Sequence, residues 1–400
     1  MPQTFSGPTI HSLYRPPLPD VVSEHFEESA FLSMQRRKLL FSPGALEPQV
    51  HACDERRFAH WDGLVVNQPE SAMLAEQRLG ADDPWEMATA VKAWLAFVRP
   101  AIDRLTARWI ETPTAHAPSW AQGMRDLTAN EVEALVPDGR RPQLPPIGLS
   151  ALVDALGWHG RGSLAGAVAT HPNDMVRAAA ARVLGLTGPA DHALETLRAL
   201  IEDDAPAVAR RALWSIALLA PTEGCDRARQ LASGPAPDAF AVRVLGLLGE
   251  PDDYHQLAAA AGTDAARWAA VYALGDLGTQ RATESLVRLL TLRDDEMRRV
   301  GTDALELTLG PIPRPEPDTA ATVEEARMRY EEVGAISRWN DRLLYGLDRP
   351  WIGEAGAEPM AWKWRRAISM PDDAESAWLR REVPDSFFMA LPTTTAKPGE

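Results

Sequence analysis

The chain has only two cysteines, Cys53 and Cys225, in 400 residues. That excludes a disulfide framework and leaves two thiols expected to be buried. It has no apolar run near the roughly 18 residues that a membrane-spanning helix requires. It lacks an excess of base: 41 Lys and Arg stand against 56 Asp and Glu, a net charge of −15. Phosphate binding needs clustered cations, so nucleic acid is not expected as a partner. There is no Gly-rich phosphate loop, no nucleophile elbow and no paired-Cys motif. The segment from Met1 to Asp20 is Pro-rich, without the basic and apolar parts of a signal peptide. A cytoplasmic location without membrane association is the expectation.

Hydrophobic residues, at 45%, suffice for a large core. The order is most evident over 147–310, where one phrase returns: Leu156-Gly157, Leu184-Gly185, Ile216-Ala217, Leu245-Gly246, Leu274-Gly275 and Leu305-Glu306. The intervals are 28, 32, 29, 29 and 31 residues, the range of a solenoid or array. In each unit a polar turn carrying Asp precedes an Ala-rich helix. A Gly or Pro turn and a second helix follow. Two helices in about 30 residues, without the alternation of strands, predict an all-α chain built as an α-solenoid of about six repeats.

Upstream, 20–111 reads as a helical region. The spacing predicts helices over 20–41 and 47–66, the second with an apolar stripe of Val50, Cys53, Phe58, Trp61 and Val65. Pro69 opens a further helix. Asp83-Pro84-Trp85-Glu86 supplies an N-cap, a first-turn proline and a first-turn acid, and Pro100 breaks the run that follows. Residues 1–19 are expected to be disordered. Residues 112–146 read as a Pro-rich connector with one short helix, opened by the capping box Thr128 to Glu131. Residues 311–400 read as a C-terminal capping region with a disordered end. It holds a helix around 336–344 and a Trp-rich stretch with Trp351, Trp362, Trp364 and Trp378. The histidines suggest no metal or other cofactor, because His51 and His60 are nine apart and not adjacent on a helix face.

The repeat register makes a binding surface predictable. Val176, Ala179, Ala180, Val183 and Leu184 form a buried stripe, which leaves positions 178 and 182 more exposed. Carried through the array, position 182 becomes Asp154, Arg182, Trp214, Arg243, Tyr272 and Asp303. Position 178 becomes Ser150, Ala178, Arg210, Ala239, Trp268 and Arg299. Trp, Tyr and Arg are the residue types that concentrate binding energy. Arg182, Arg210, Trp214, Arg243, Trp268, Tyr272 and Arg299 are therefore the expected partner-binding residues, on a concave face. The repeated Asp side chains cap helices, and Arg177, Arg267 and Arg298 are expected to pair with Asp174, Asp264 and Asp295.

The segment Asn173-Asp174-Met175-Val176-Arg177 through Leu184-Gly185 resembles the HEAT-like repeat superfamily, and the short period resembles repeats of the phycobilisome-lyase type. The segments Glu24-His25-Phe26-Glu27-Glu28 and Asp54-Glu55-Arg56-Arg57 through His60-Trp61-Asp62-Gly63-Leu64 resemble a bacterial family that joins a helical N-terminus to HEAT-like repeats. Its genes are often found beside type VI secretion genes. The absence of catalytic motifs and the concave face point to a non-catalytic scaffold, adaptor, chaperone or immunity-like protein, and the resemblance implies a secretion component or effector as its protein partner. It implies no catalytic residues. The alternative is a HEAT-like enzyme, a tetrapyrrole lyase or a DNA glycosylase-like protein. A glycosylase needs a basic groove, which the net charge disfavours, and a lyase needs a pocketed acid or histidine, whereas His159, His171, His192 and His255 fall mainly in turns.

Overall fold

In a computed structural model of the protein, the described residues are 19–309 except 43–44, 46, 188–189 and 293, together with 324, 328, 338–339 and 342–343. The N-terminal helices start and stop where local chemistry directs. Helices α1 (Pro19–Phe41) and α2 (Glu47–Val66) form an antiparallel hairpin, and α3 (Gln68–Arg78) carries Pro69 in its first turn. Asp83 caps α4 (Pro84–Ala93) by accepting from the amides of Trp85 and Glu86, both at 2.8 Å. A π-helical turn over Trp94–Val98 ends α4, and Arg99 turns the chain with a positive φ of 47° just before Pro100. The chain then resumes as α5 (Ile102–Glu111).

The segment read as a connector holds two helices. Alongside the expected α7 (Ala129–Leu135), whose capping box is formed in full, runs α6 (Ala117–Arg125). Pro118 does not prevent it, because a first-turn proline forfeits only an amide that has no intrahelical acceptor. Helix α6 packs closely on both α4 and α8 (Pro146–Trp158), so the helix stacking extends upstream of residue 147.

The array continues through α9 (Ser163–Val168), α10 (Asp174–Thr187), α11 (Ala190–Leu200), α12 (Pro206–Leu219), α13 (Pro221–Leu231), α14 (Ala239–Leu248), α15 (Tyr254–Ala261), α16 (Arg267–Leu277), α17 (Gln280–Leu289) and α18 (Asp295–Leu309). The even-numbered helices α8 to α18 stack on one another as one layer, with the odd-numbered helices α9 to α17 packed beside them. This is an all-α solenoid.

The recurring Leu-Gly phrase has a steric cause. A Cβ placed on Gly157 would lie 2.3 Å from Val183, one on Gly185 2.4 Å from Ser215, one on Gly246 2.5 Å from Ala273, and one on Gly275 2.3 Å from Ala304. Each contact is with the next even-numbered helix, so the missing side chain is what allows the backbones to close. The exception follows from the same cause. Ala217 stands where the other units that have a following even-numbered helix carry Gly (Glu306 ends the series), and α12 meets α14 only slightly. The close neighbour of Ala217 is instead Gly224 of α13, whose added Cβ would fall 2.5 Å from the Ala217 Cα. The buried core accordingly divides at α12: Ala212 and Ile216 belong to the upstream cluster, Leu213, Trp214 and Ala217 to the downstream one.

Three sequence expectations change. On α2 the buried stripe is Val50, Cys53 and Leu64 with half-buried Trp61, while Phe58 and Val65 face outward. Around 336–344, the described residues Arg338–Trp339 pair antiparallel with Arg342–Leu343 rather than forming a helix. On α10, Ala181 and Arg182 are buried with Val176, Ala180, Val183 and Leu184, while Ala179 is only half-buried, because the helix has α8 and α12 on its two sides and the buried arc is wider and shifted. The expectations for 1–18, and for Trp351, Trp362, Trp364 and Trp378, lie outside the described residues.

Candidate protein-binding face

The repeated Asp residues do two tasks. Asp238 is the N-cap of α14, accepting from the Ala241 amide at 2.9 Å, and also accepts from Arg210 Nη2 at 3.0 Å, one repeat upstream. Asp203 accepts from the Ala205 amide and takes two bonds, at 2.7 and 2.9 Å, from Arg177. The Arg177 guanidinium, hydrogen-bonded to it, holds the Asp203 carboxyl below the usual carboxylate range. Arg177 therefore ties consecutive repeats together rather than pairing with Asp174. Arg267 and Arg298 do pair with Asp264 and Asp295, as expected from their spacing.

Position 182 proves to be a ladder within the protein. Asp154 is buried between Arg125 and Arg182, accepting from both. The two guanidinium carbons lie 5.3 and 5.7 Å from the ring centroid of Trp158. Arg243 pairs at 2.9 Å with the buried Asp276 and sits 5.1 Å from the Tyr272 ring centroid. The Tyr272 hydroxyl donates to Asp303 at 3.3 Å, and Arg299 reaches the same carboxylate at 3.5 Å. Burial, and then Asp303, push the Tyr272 hydroxyl pKa up. The register thus brings Arg243, Tyr272 and Asp303 of successive repeats into contact.

This packing corrects the expected open column. Arg182 is 3% exposed and Trp214 1%, so neither can meet a partner in this conformation. Other side chains and the N-terminal hairpin crowd the same region. Trp61 of α2 lies beneath Lys92 of α4, with Nζ 3.6 Å from the ring centroid, and burial pulls the Lys92 pKa down. Arg57 reaches Asp126, next to Arg125, at 3.3 Å. Leu40 and Val50, near the hairpin tip, join the buried cluster that includes Trp214 and Phe240. No short-range sequence pattern announces that a helix 160 residues upstream will pack there.

Farther along, the surface opens. Trp268 and Tyr272 are half-buried, packed against the downstream cluster with one side accessible. The Arg210 side chain is 41% exposed and that of Arg299 59%. Arg243, at 12%, is largely enclosed by its ion pair and the Tyr272 ring. A second concavity, about 630 Å³, lies between α11 and α13. Ile201, Ile216 and Ala220 line it, and the ion pairs Arg198–Glu223 and Arg227–Glu202 cross it.

Sites for chemistry are sparse. His159 caps α8, His171 precedes α10, and His192 and His255 sit on α11 and α15, so these four do not converge. Among the described residues no three His, Cys, Asp or Glu side chains are grouped to hold a metal ion. One pairing was missed from the sequence: His25 of α1 and His60 of α2 face each other with Nδ1 atoms 3.1 Å apart. The cue, visible only once the hairpin is assumed, is the antiparallel register that also joins Cys53 to Leu32 and Arg36 to Asp54.

Comparison with known families agrees with this geometry. Residues 163–239 match the family model of HEAT repeats, and residues 266–291 match that of the PBS lyase HEAT-like repeat. Both matches fall inside the stacked array. Neither reaches the N-terminal region. No curated protein matches the chain. No helix among the described residues is long and apolar enough to cross a membrane.

Proposed function

We propose that the protein is a non-catalytic scaffold that binds a protein partner along the downstream half of the α14–α18 face. The observation that carries this reading is the contrast along the two columns. Arg182 and Trp214 are sealed, whereas Trp268 and Tyr272 are half-open beside exposed Arg299, with exposed Arg210 upstream. An aromatic pair with a neighbouring guanidinium is the composition expected of an interface anchor. Solenoids commonly bind through such extended faces of one helix layer. A secretion component or effector is the partner class suggested by the N-terminal motifs.

Affinity capture from a native lysate tests this, compared with the variants Trp268→Ala and Arg299→Glu. The proposal expects one stoichiometric protein partner, lost with both variants while their thermal transitions stay near that of the wild type. Capture that persists in both variants refutes the face. Turnover of a tetrapyrrole adduct or excision of a DNA base by the purified chain refutes the non-catalytic reading.

A further inference from the structure

The His25–His60 pair lies apart from the proposed binding face and from both family matches. Helix α1 presents His25 and helix α2 presents His60, both half-buried, with ring centroids 5.2 Å apart and planes at 67°. The two Nδ1 atoms are 3.1 Å apart. Two nitrogens bound to a tetrahedral zinc at about 2.0–2.1 Å stand roughly 3.3 Å apart, so the pair already has close to the ligand-to-ligand spacing of such a site. The rings are also held in place. A Cβ on Gly63 would fall 2.6 Å from the His25 ring, so the side-chain-free surface of α2 forms a seat for that imidazole.

A third donor, an oxygen, is close in sequence. Glu28 is three residues after His25, on the same face of α1. Its Oε2 is enclosed and makes no hydrogen bond, but it is ion-paired at 3.6 Å with Arg56 Nη2 of α2, and the side chain as a whole is 38% exposed. That carboxylate is not grouped with the two histidines in the present rotamers. A side-chain rotation or water molecules would complete the coordination shell.

We propose that His25 and His60 form a site for a divalent transition metal of the zinc class, which clamps α1 to α2 at the open end of the hairpin. Imidazole nitrogens with a carboxylate or water suit zinc, copper, nickel and cobalt, and disfavour magnesium and calcium. The metal acts here as a structural clamp. It joins two segments 35 residues apart in sequence and stabilises the hairpin by binding only the folded arrangement.

The test uses the full untagged chain, stripped with a chelator and titrated with Co2+ and Zn2+. One equivalent of Co2+ is expected to give visible ligand-field bands, Zn2+ to displace them, and Zn2+ to raise the thermal midpoint by a few degrees. His25→Ala and His60→Ala should each abolish the bands and the thermal shift, while His51→Ala, on the same helix as His60, should retain both. A chain that gives no bands and no thermal shift carries only an imidazole–imidazole hydrogen bond, and the proposal fails. Bands that survive in both histidine variants also overturn it.

Discussion

Replacing Gly246 with Ala tests the steric account of the array most directly. The new Cβ would sit 2.5 Å from the Ala273 Cα and 2.6 Å from its Cβ and carbonyl oxygen. Ordinary carbon contacts are about 3.5–4.0 Å, so α14 and α16 must separate by roughly an ångström. The obstruction is mainly backbone and Cβ, which no rotamer change can relieve. Helix α16 is also pressed on its other side, where Gly275 meets Ala304 of α18. Overpacking of this kind costs about 1–3 kcal/mol or more. Alanine recovers only about 1 kcal/mol through its better helix propensity. Because the clash is with backbone and Cβ, the overpacking cost lies in the upper part of its range, about 2–3 kcal/mol, and the expected net loss is about 1–2 kcal/mol. Gly166 is the control, because an added Cβ there meets nothing within 4 Å and the residue lies inside α9. Gly166→Ala should stabilise by about 0.5–1 kcal/mol through propensity alone. Urea unfolding followed by far-UV circular dichroism, compared by midpoint, reads both changes with opposite signs. A Gly246→Ala midpoint at or above that of the wild type, alongside a raised Gly166→Ala midpoint, would refute the close-approach explanation of the repeated glycine.

Asp154→Ala should destabilise by about 3–5 kcal/mol in the same urea experiment, because it leaves Arg125 and Arg182 buried beside each other without their shared carboxylate. A loss below about 1 kcal/mol would show that the two guanidinium groups find water instead. Asp203→Asn keeps an oxygen for the Ala205 amide but removes the charge that Arg177 stabilises. Since the Asp203 carboxyl is held below its ordinary pKa in the fold, its charge contributes stability above about pH 4 and loses that contribution as pH falls below it. The midpoint gap between wild type and Asp203→Asn should therefore be largest at pH 7 and narrow as pH falls from about 4 toward about 3; a gap unchanged between pH 7 and pH 3 would refute the linkage.

Much of this molecule could be read without coordinates, because its grammar is local. The caps at Asp83, Thr128 and Asp238 depend on neighbours two or three residues away. The positions of Pro69, Pro84 and Pro100 mark helix starts and a break for the same local reason. The period of the Leu-Gly phrase is also carried by the chain itself, and it placed repeat-equivalent residues in contact, as Arg243 with Tyr272 and Tyr272 with Asp303 show. Helix α6 escapes a sequence reading because a proline inside a helix and one in its first turn, such as Pro118, look alike until the helix start is known.

The residues themselves therefore determined the all-α solenoid, its repeat and its register. Exposure was decided elsewhere. Whether position 182 faces solvent depends on Arg125 one unit upstream, on the α1–α2 hairpin, and on the width of each step in the stack. Those are contacts between segments tens to hundreds of residues apart, and they carry no periodic trace in the chain. Tertiary packing thus sealed Arg182 and Trp214, left Trp268 and Tyr272 half-open, and brought His25 within 3.1 Å of His60. Burial is a property of what covers a side chain, and the covering element is chosen by the whole fold.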